Sequence, residues 1–195
     1  MTKSIENVTY LVGNLLDHPG RFIIQGCNAQ GVMNSGVAKA IRTKYPNAFA
    51  RYRETYERNG NELSLGDVVV ADCGRHIVFN AITQDRYGYD DKQYVDYDAI
   101  KAALKKTALI IRQTTQEINT SSESQYYNRM YVEQPLRDDL VLATPLIGAG
   151  LGGGDWMVIH TILSDVSVMD VVRPVVYIKE QAQYDKIMKM FDDKL

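Results

Sequence analysis

At 195 residues the chain is long enough for one domain with a substantial core and too short for two comfortable ones, so a single domain over 1–195 is expected. Apolar residues make up 45% and charged residues 24%, an ordinary globular balance that excludes a disordered or fibrous class. A formal charge of −2 offers no basic face to a phosphodiester backbone, which excludes general nucleic-acid binding.

Only Cys27 and Cys73 occur, in no metal-ligand spacing, and the N-terminus carries neither a secretory nor a spanning pattern. No metal, cofactor or membrane partner is expected, and the default address is the cytoplasm. In chain order, runs rich in Val, Ile and aromatic residues predict strands at 8–12 and 22–27. Helices follow at 36–44 and 47–58, separated by Pro46. Strands at 67–72 and 76–83 lead to a long helix at 96–118, where Ile100, Ala103, Leu104, Ala108 and Ile111 form one apolar stripe opposite Lys101, Lys105 and Arg112.

Between 119 and 139 the helical period is lost among Ser121, Ser122, Glu123, Ser124 and the pair Tyr126 and Tyr127. An excursion is expected there, and the segment from Tyr126 to Arg137 is expected as a partner-binding arm, since Tyr126, Tyr127, Arg129 and Tyr131 are residue types suited to one. A strand at 140–147, a helix at 155–169, a strand at 174–179 and a terminal helix at 181–192 complete the chain. Strands alternating with helices, several of them apolar along most of their length, predict an α/β fold. Its expected form is a three-layer α/β/α sandwich on a mixed, mostly parallel six-stranded sheet.

Two strand-to-helix junctions stand out. The first runs through Cys27, Asn28, Gly31, Val32, Met33, Ser35, Gly36 and Val37, and the second through Ile147, Gly148, Ala149, Gly150, Leu151, Gly152, Gly153 and Asp155. Glycine turns expose backbone N–H groups without Cβ obstruction, and a helix's first turn adds unpaired donors and a positive dipole end. Such a junction suits phosphate. Gly148, Gly150 and Gly153 also match the dinucleotide fingerprint with Asp170 downstream, but only one strand remains after them, which disfavours a Rossmann half. Neither loop is followed by Gly-Lys-Ser/Thr, so a P-loop lysine is missing. If the two parent strands are neighbours, both loops open on the sheet's carboxyl edge and a diphosphate fits between them.

These residues resemble the macrodomain family, most closely its branch of ADP-ribose 1''-phosphate phosphatases and deADP-ribosylating hydrolases. The resemblance rests on Tyr10, Leu11, Val12, Gly13, Asn14, Leu15 and Leu16, the first glycine loop, Lys44, Tyr45 and Pro46 with Tyr52 and Tyr56, Leu65, Gly66 and Asp67, the second loop, and Val175, Val176 and Tyr177. It implies ADP-ribose or ADP-ribose 1''-phosphate as ligand, or ADP-ribose on a modified macromolecule. The reaction implied is loss of the phosphate or release of the ADP-ribose, with non-catalytic binding as the alternative.

By the same resemblance, Gly13, Asn14 and Leu15 hold adenine and Asn28 fixes the distal ribose. Gly31, Val32, Met33, Ser35, Gly36 and Val37 line the first loop. Ile147, Gly148, Ala149, Gly150, Leu151, Gly152 and Gly153 take the diphosphate, Trp156 and Tyr177 supply aromatic walls, and Asn28 and Asp155 are the catalytic positions. Plainer roles compete with several of these: turn formation for Asn14 and Asn28, a helix N-cap for Asp155, and core packing for Trp156, which shares a helix face with Ile159, His160 and Leu163. The pattern also departs from the family. Gln84 stands where the hydrolases carry a lysine, Gly152 where one of them has an aspartate, and Gln25 where phosphatases can have a histidine. His18, His76 and His160 read as structural.

Overall fold

The computed structural model describes residues 1–88, 90, 92–120, 140–170 and 172–193, with side chains for all of these except 116–120 and 166. Seven strands form one sheet: β1 (Thr2–Ile5), β2 (Val8–Val12), β3 (Phe22–Asn28), β4 (Val68–Cys73), β5 (His76–Gln84), β6 (Val141–Thr144) and β7 (Arg173–Ile178). Their order is β1-β2-β7-β6-β3-β5-β4. The four inner pairings are parallel, whereas the outermost strands, β1 and β4, run antiparallel to their neighbours.

The helices are α1 (Gly36–Lys44), α2 (Pro46–Arg58), α3 (Tyr97–Thr120), α4 (Trp156–Ser164), α5 (Val166–Met169) and α6 (Gln181–Asp192). The predicted stripe of α3 is buried, and it packs with Phe79, Ala81, Leu142 and Trp156 in the larger core cluster. On the other face of the sheet Ile23, Val78 and Ala143 pack with Ile41, Tyr45 and Ala48 of the α1–α2 region. The expected sandwich thus has apolar layers on both faces of its parallel centre.

Three expectations need correction. The sheet has seven strands instead of six, because Thr2–Ile5 pairs with β2; this strand is almost wholly exposed and gives no apolar signal. The strand expected at 140–147 ends at Thr144, since Pro145 has no N–H for the ladder. The helix expected at 155–169 is two helices, broken where the Asp165 carboxylate accepts from Ser167 N at 2.8 Å and starts α5. The excursion expected at 119–139 begins with two residues still in α3, and its remainder, with the arm read from Tyr126 to Arg137, lies outside the described residues.

Candidate functional site

The parallel strands β3 and β6 are direct neighbours, with Phe22 opposite Leu142 and Ile23 opposite Ala143. Their glycine-rich exits therefore leave the same edge of the sheet side by side. Between them opens a cleft of about 770 Å³. Of the residues selected from sequence, Gly13, Asn14, Leu15, Asn28, Val32, Ser35, Gly36, Val37, Ile147, Gly148, Gly150, Leu151, Gly152 and Tyr177 line it.

Gly31, Met33, Ala149, Gly153 and Asp155 are not among the lining residues. Met33 is buried against Cys27 and Tyr52, and Gly31 backs onto the Tyr56 ring. Asp155 caps α4, its Oδ1 accepting from Met157 N at 2.7 Å, which is the plainer of the two roles read from sequence.

The loop amides carry the site's chemistry. In the second loop, Gly153 N and Gly154 N are spent on Gly150 O and Gly148 O. The N–H groups of Gly148, Gly150, Leu151 and Gly152 have no partner among the described residues, and all four residues line the cleft. Across from them, the N–H groups of Ser35, Gly36, Val37 and Ala38 at the start of α1 are equally unpaired and also line it. Exposed backbone donors at a helix N-terminus carry partial positive charge, which the Ser35–Ala38 row has; the Gly148–Gly152 row lies ahead of the Asp155 cap of α4 and adds loop N–H groups, donors of the kind that suit an anion. Gly152 is required by packing: a Cβ there would lie 2.6 Å from Gly148 O.

Asn28 holds the first loop in shape. Its Oδ1 accepts from Gln30 N at 3.0 Å and Val32 N at 3.3 Å, while Nδ2 donates to Val32 O at 2.8 Å. One Nδ2 proton is left over, since an amide nitrogen carries two. At the β2 end, Asn14 Oδ1 accepts from Leu16 N at 3.2 Å and its Nδ2 donates to Asp17 at 3.1 Å, closing a single 3-10 turn beside the cleft. Tyr177 is held by His18, whose Nδ1 lies 2.9 Å from the phenol oxygen, the rings meeting edge to face. Burial pulls the His18 imidazole down to about 4, helped by the charges of His76 and Arg75.

No carboxylate and no imidazole lines the cleft among the described residues. Asp85 is exposed and pairs with Arg86, and the Cys27 thiol is pushed up by burial, which removes it as a nucleophile. All three histidines are buried: His76 bonds Tyr45, and His160 bonds Tyr10 at 2.7 Å. Trp156 lies edge-on to Tyr10 in the core, as its helix face suggested.

The sequence reading missed several lining residues, among them Leu16, Tyr87, Lys179 and Gln183. Lys179 and Gln183 follow the last strand in polar surroundings, with no local mark of a site. Tyr52 was noticed only as a family feature; its hydroxyl proves to anchor Asn28.

The Macro domain family model matches residues 24–163, which span both glycine loops and the strands that carry them. The chain belongs to the macrodomain family. It is 27% identical over 78% of its length to an ADP-ribose 1''-phosphate phosphatase of Candida glabrata, covering 88% of that protein. It is 28% identical over 76% of its length to a DNA ADP-ribosyl glycohydrolase of Mycobacterium tuberculosis, of which it spans 35%. The macrodomain of Mycobacterium tuberculosis DarG superposes with a TM-score of 0.64 at 24% identity, covering 89% of this chain and 98% of that one, and so shares the fold. Within this macrodomain, no described helix is long and apolar enough to cross a membrane.

Proposed function

We propose that this macrodomain binds ADP-ribose with its diphosphate between the two glycine loops, and that it hydrolyses ADP-ribose 1''-phosphate to ADP-ribose and phosphate or releases ADP-ribose from a modified partner. The observation that carries the reading is the pair of rows of N–H groups without a partner among the described residues, one at Gly148, Gly150, Leu151 and Gly152 and one from Ser35 to Ala38, on a single cleft that no described carboxylate lines. A diphosphate carries negative oxygens on two linked phosphorus atoms and can therefore take donors from both rows. The adenine lies at Gly13, Asn14 and Leu15, and the distal ribose reaches Asn28, whose remaining Nδ2 proton can donate to a hydroxyl. A cytoplasmic address belongs to the same proposal.

The names of the two curated relatives support hydrolysis at the distal ribose. With no carboxylate or imidazole lining the cleft among the described residues, turnover rests on backbone donors that stabilise negative charge as water adds at phosphorus, the P–O bond to the C1'' oxygen breaks and that oxygen takes up the proton the water gives up. Such an enzyme is slow. The same lack of a base favours a second reading, a binding module that leaves ADP-ribose unchanged. Calorimetric titration with ADP-ribose and phosphate release from ADP-ribose 1''-phosphate separate them, with ADP-ribosylated protein and nucleic acid as further substrates. Release above an Asn28→Ala control establishes the enzyme, and saturable binding without any product establishes the module. No binding at millimolar ADP-ribose rejects both.

A further inference from the structure

Lys179 is the sole charged residue lining the cleft among the described residues. Its side chain is exposed and makes no ion pair or hydrogen bond with any of them. Its place is set by register. Val12 pairs with Ile178 in the parallel β2–β7 ladder, and Gly13 N donates to Ile178 O at 2.9 Å, so Lys179 leaves the sheet level with Gly13 and Asn14. Strand β6 stands between β7 and β3, which puts Lys179 about 10 Å, two strand spacings, from the first glycine loop. The amide of Gln183, on the first turn of α6, lines the same rim and likewise has no described side-chain partner.

We infer that Lys179 and Gln183 form a second anion subsite at the adenosine end of the cleft, which takes a phosphate carried on the adenosine ribose and makes 2'-phosphorylated ADP-ribose a preferred ligand. The inference rests on the proposed ADP-ribose orientation. In that orientation the diphosphate has the two rows of loop amides and the base has Asn14, so the group beside Lys179 is the adenosine ribose. Its hydroxyls alone leave the ammonium without a counter-charge. A phosphate there gains a point-charge partner in Lys179 and an N–H donor in Gln183; the nearby carboxylates of Glu180, next in the chain, and of Asp17, which accepts from Asn14, do not line the cleft.

The test is a calorimetric comparison of ADP-ribose with its 2'-phosphorylated form at low salt and pH 7.5, on the wild-type protein and on Lys179→Met, Lys179→Arg and Lys179→Glu. The expected preference of the wild type for the phosphorylated ligand is about fivefold, the scale of a partly exposed ion pair. It should persist in Lys179→Arg, fall to parity in Lys179→Met and reverse in Lys179→Glu. It should also shrink at pH 5, as the phosphate takes up its second proton. Equal wild-type affinity for the two ligands overturns the subsite while leaving ADP-ribose binding intact. So does an equal loss for both ligands in Lys179→Met, which would assign Lys179 to the diphosphate. Failure of either ligand to bind at all overturns the proposed function together with the subsite.

Discussion

The Tyr52 hydroxyl lies 2.5 Å from the main-chain oxygen of Asn28 and 3.0 Å from its Oδ1, so helix α2 fastens the exit of β3 at the point where the first glycine loop begins. The same oxygen accepts from Val32 N at 3.2 Å. One buried phenol thus braces three polar groups of a loop whose Met33 packs against its ring, and burial pushes that phenol well above the ordinary tyrosine range. It is a neutral, permanent donor.

Replacing Tyr52 by Phe keeps the ring and leaves Asn28 and Val32 each short of a partner. The expected cost is about 1–2 kcal/mol, with a lower melting temperature and weaker ADP-ribose binding. Thermal unfolding with and without ADP-ribose checks this; a Tyr52→Phe protein as stable as wild type, with unchanged affinity, would show that the brace is idle.

Two glycines of the second loop should behave in opposite ways. At Gly150 an added Cβ meets nothing within 4 Å, so Gly150→Phe should fold and fill the cleft, abolishing ADP-ribose binding. At Gly152 the added Cβ meets Gly148 O at 2.6 Å, so even Gly152→Ala must displace backbone and should lower the melting temperature. A Gly150→Phe protein that folds and binds with full affinity contradicts the placement of the diphosphate.

His18 gives the protein a pH dependence. Its folded value of about 4 lies below the 6.5 of an unfolded chain, so the unfolded state takes up the proton first. The stability linked to neutral His18 is full above pH 6.5 and is lost as pH falls through 4, by roughly 3 kcal/mol in total. The buried His160 shifts in the same direction and adds to the loss. Urea midpoints measured from pH 7.5 to 4 should fall in the wild type and fall less steeply in His18→Gln. Parallel curves would deny His18 this role.

Asp155 separates capping from proton transfer. Asp155→Ala removes the acceptor of Met157 N and should cost about 1 kcal/mol, whereas Asp155→Ser still caps α4 and should restore most of it. If phosphate release recovers with stability in Asp155→Ser, the carboxylate acts only through the helix; if release stays lost, it takes part in proton transfer.

Most of the elements and both glycine loops were legible in the sequence, because hydrophobic period and turn chemistry act over a few neighbouring residues. Strand β1 was not, since an exposed edge of polar residues has no period to read. Asn28 was legible in the first strand-to-helix junction and Asn14 only through the family resemblance, and their bonds to Val32 and Asp17 were legible in neither way. Tyr52 was marked only by the family resemblance, and its bond to Asn28 leaves no sign in the amphipathic pattern of its helix.

By itself, then, the sequence determined the layered α/β class, the two amide-rich turns and the family they belong to, all of which depend on local spacing. Only the tertiary structure decided that β3 and β6 are neighbours, that their free N–H groups share one cleft, that Asp155 stays out of it and that Lys179 enters it. Strand order is set by how the whole chain buries its apolar faces, and that balance leaves no mark on any single segment.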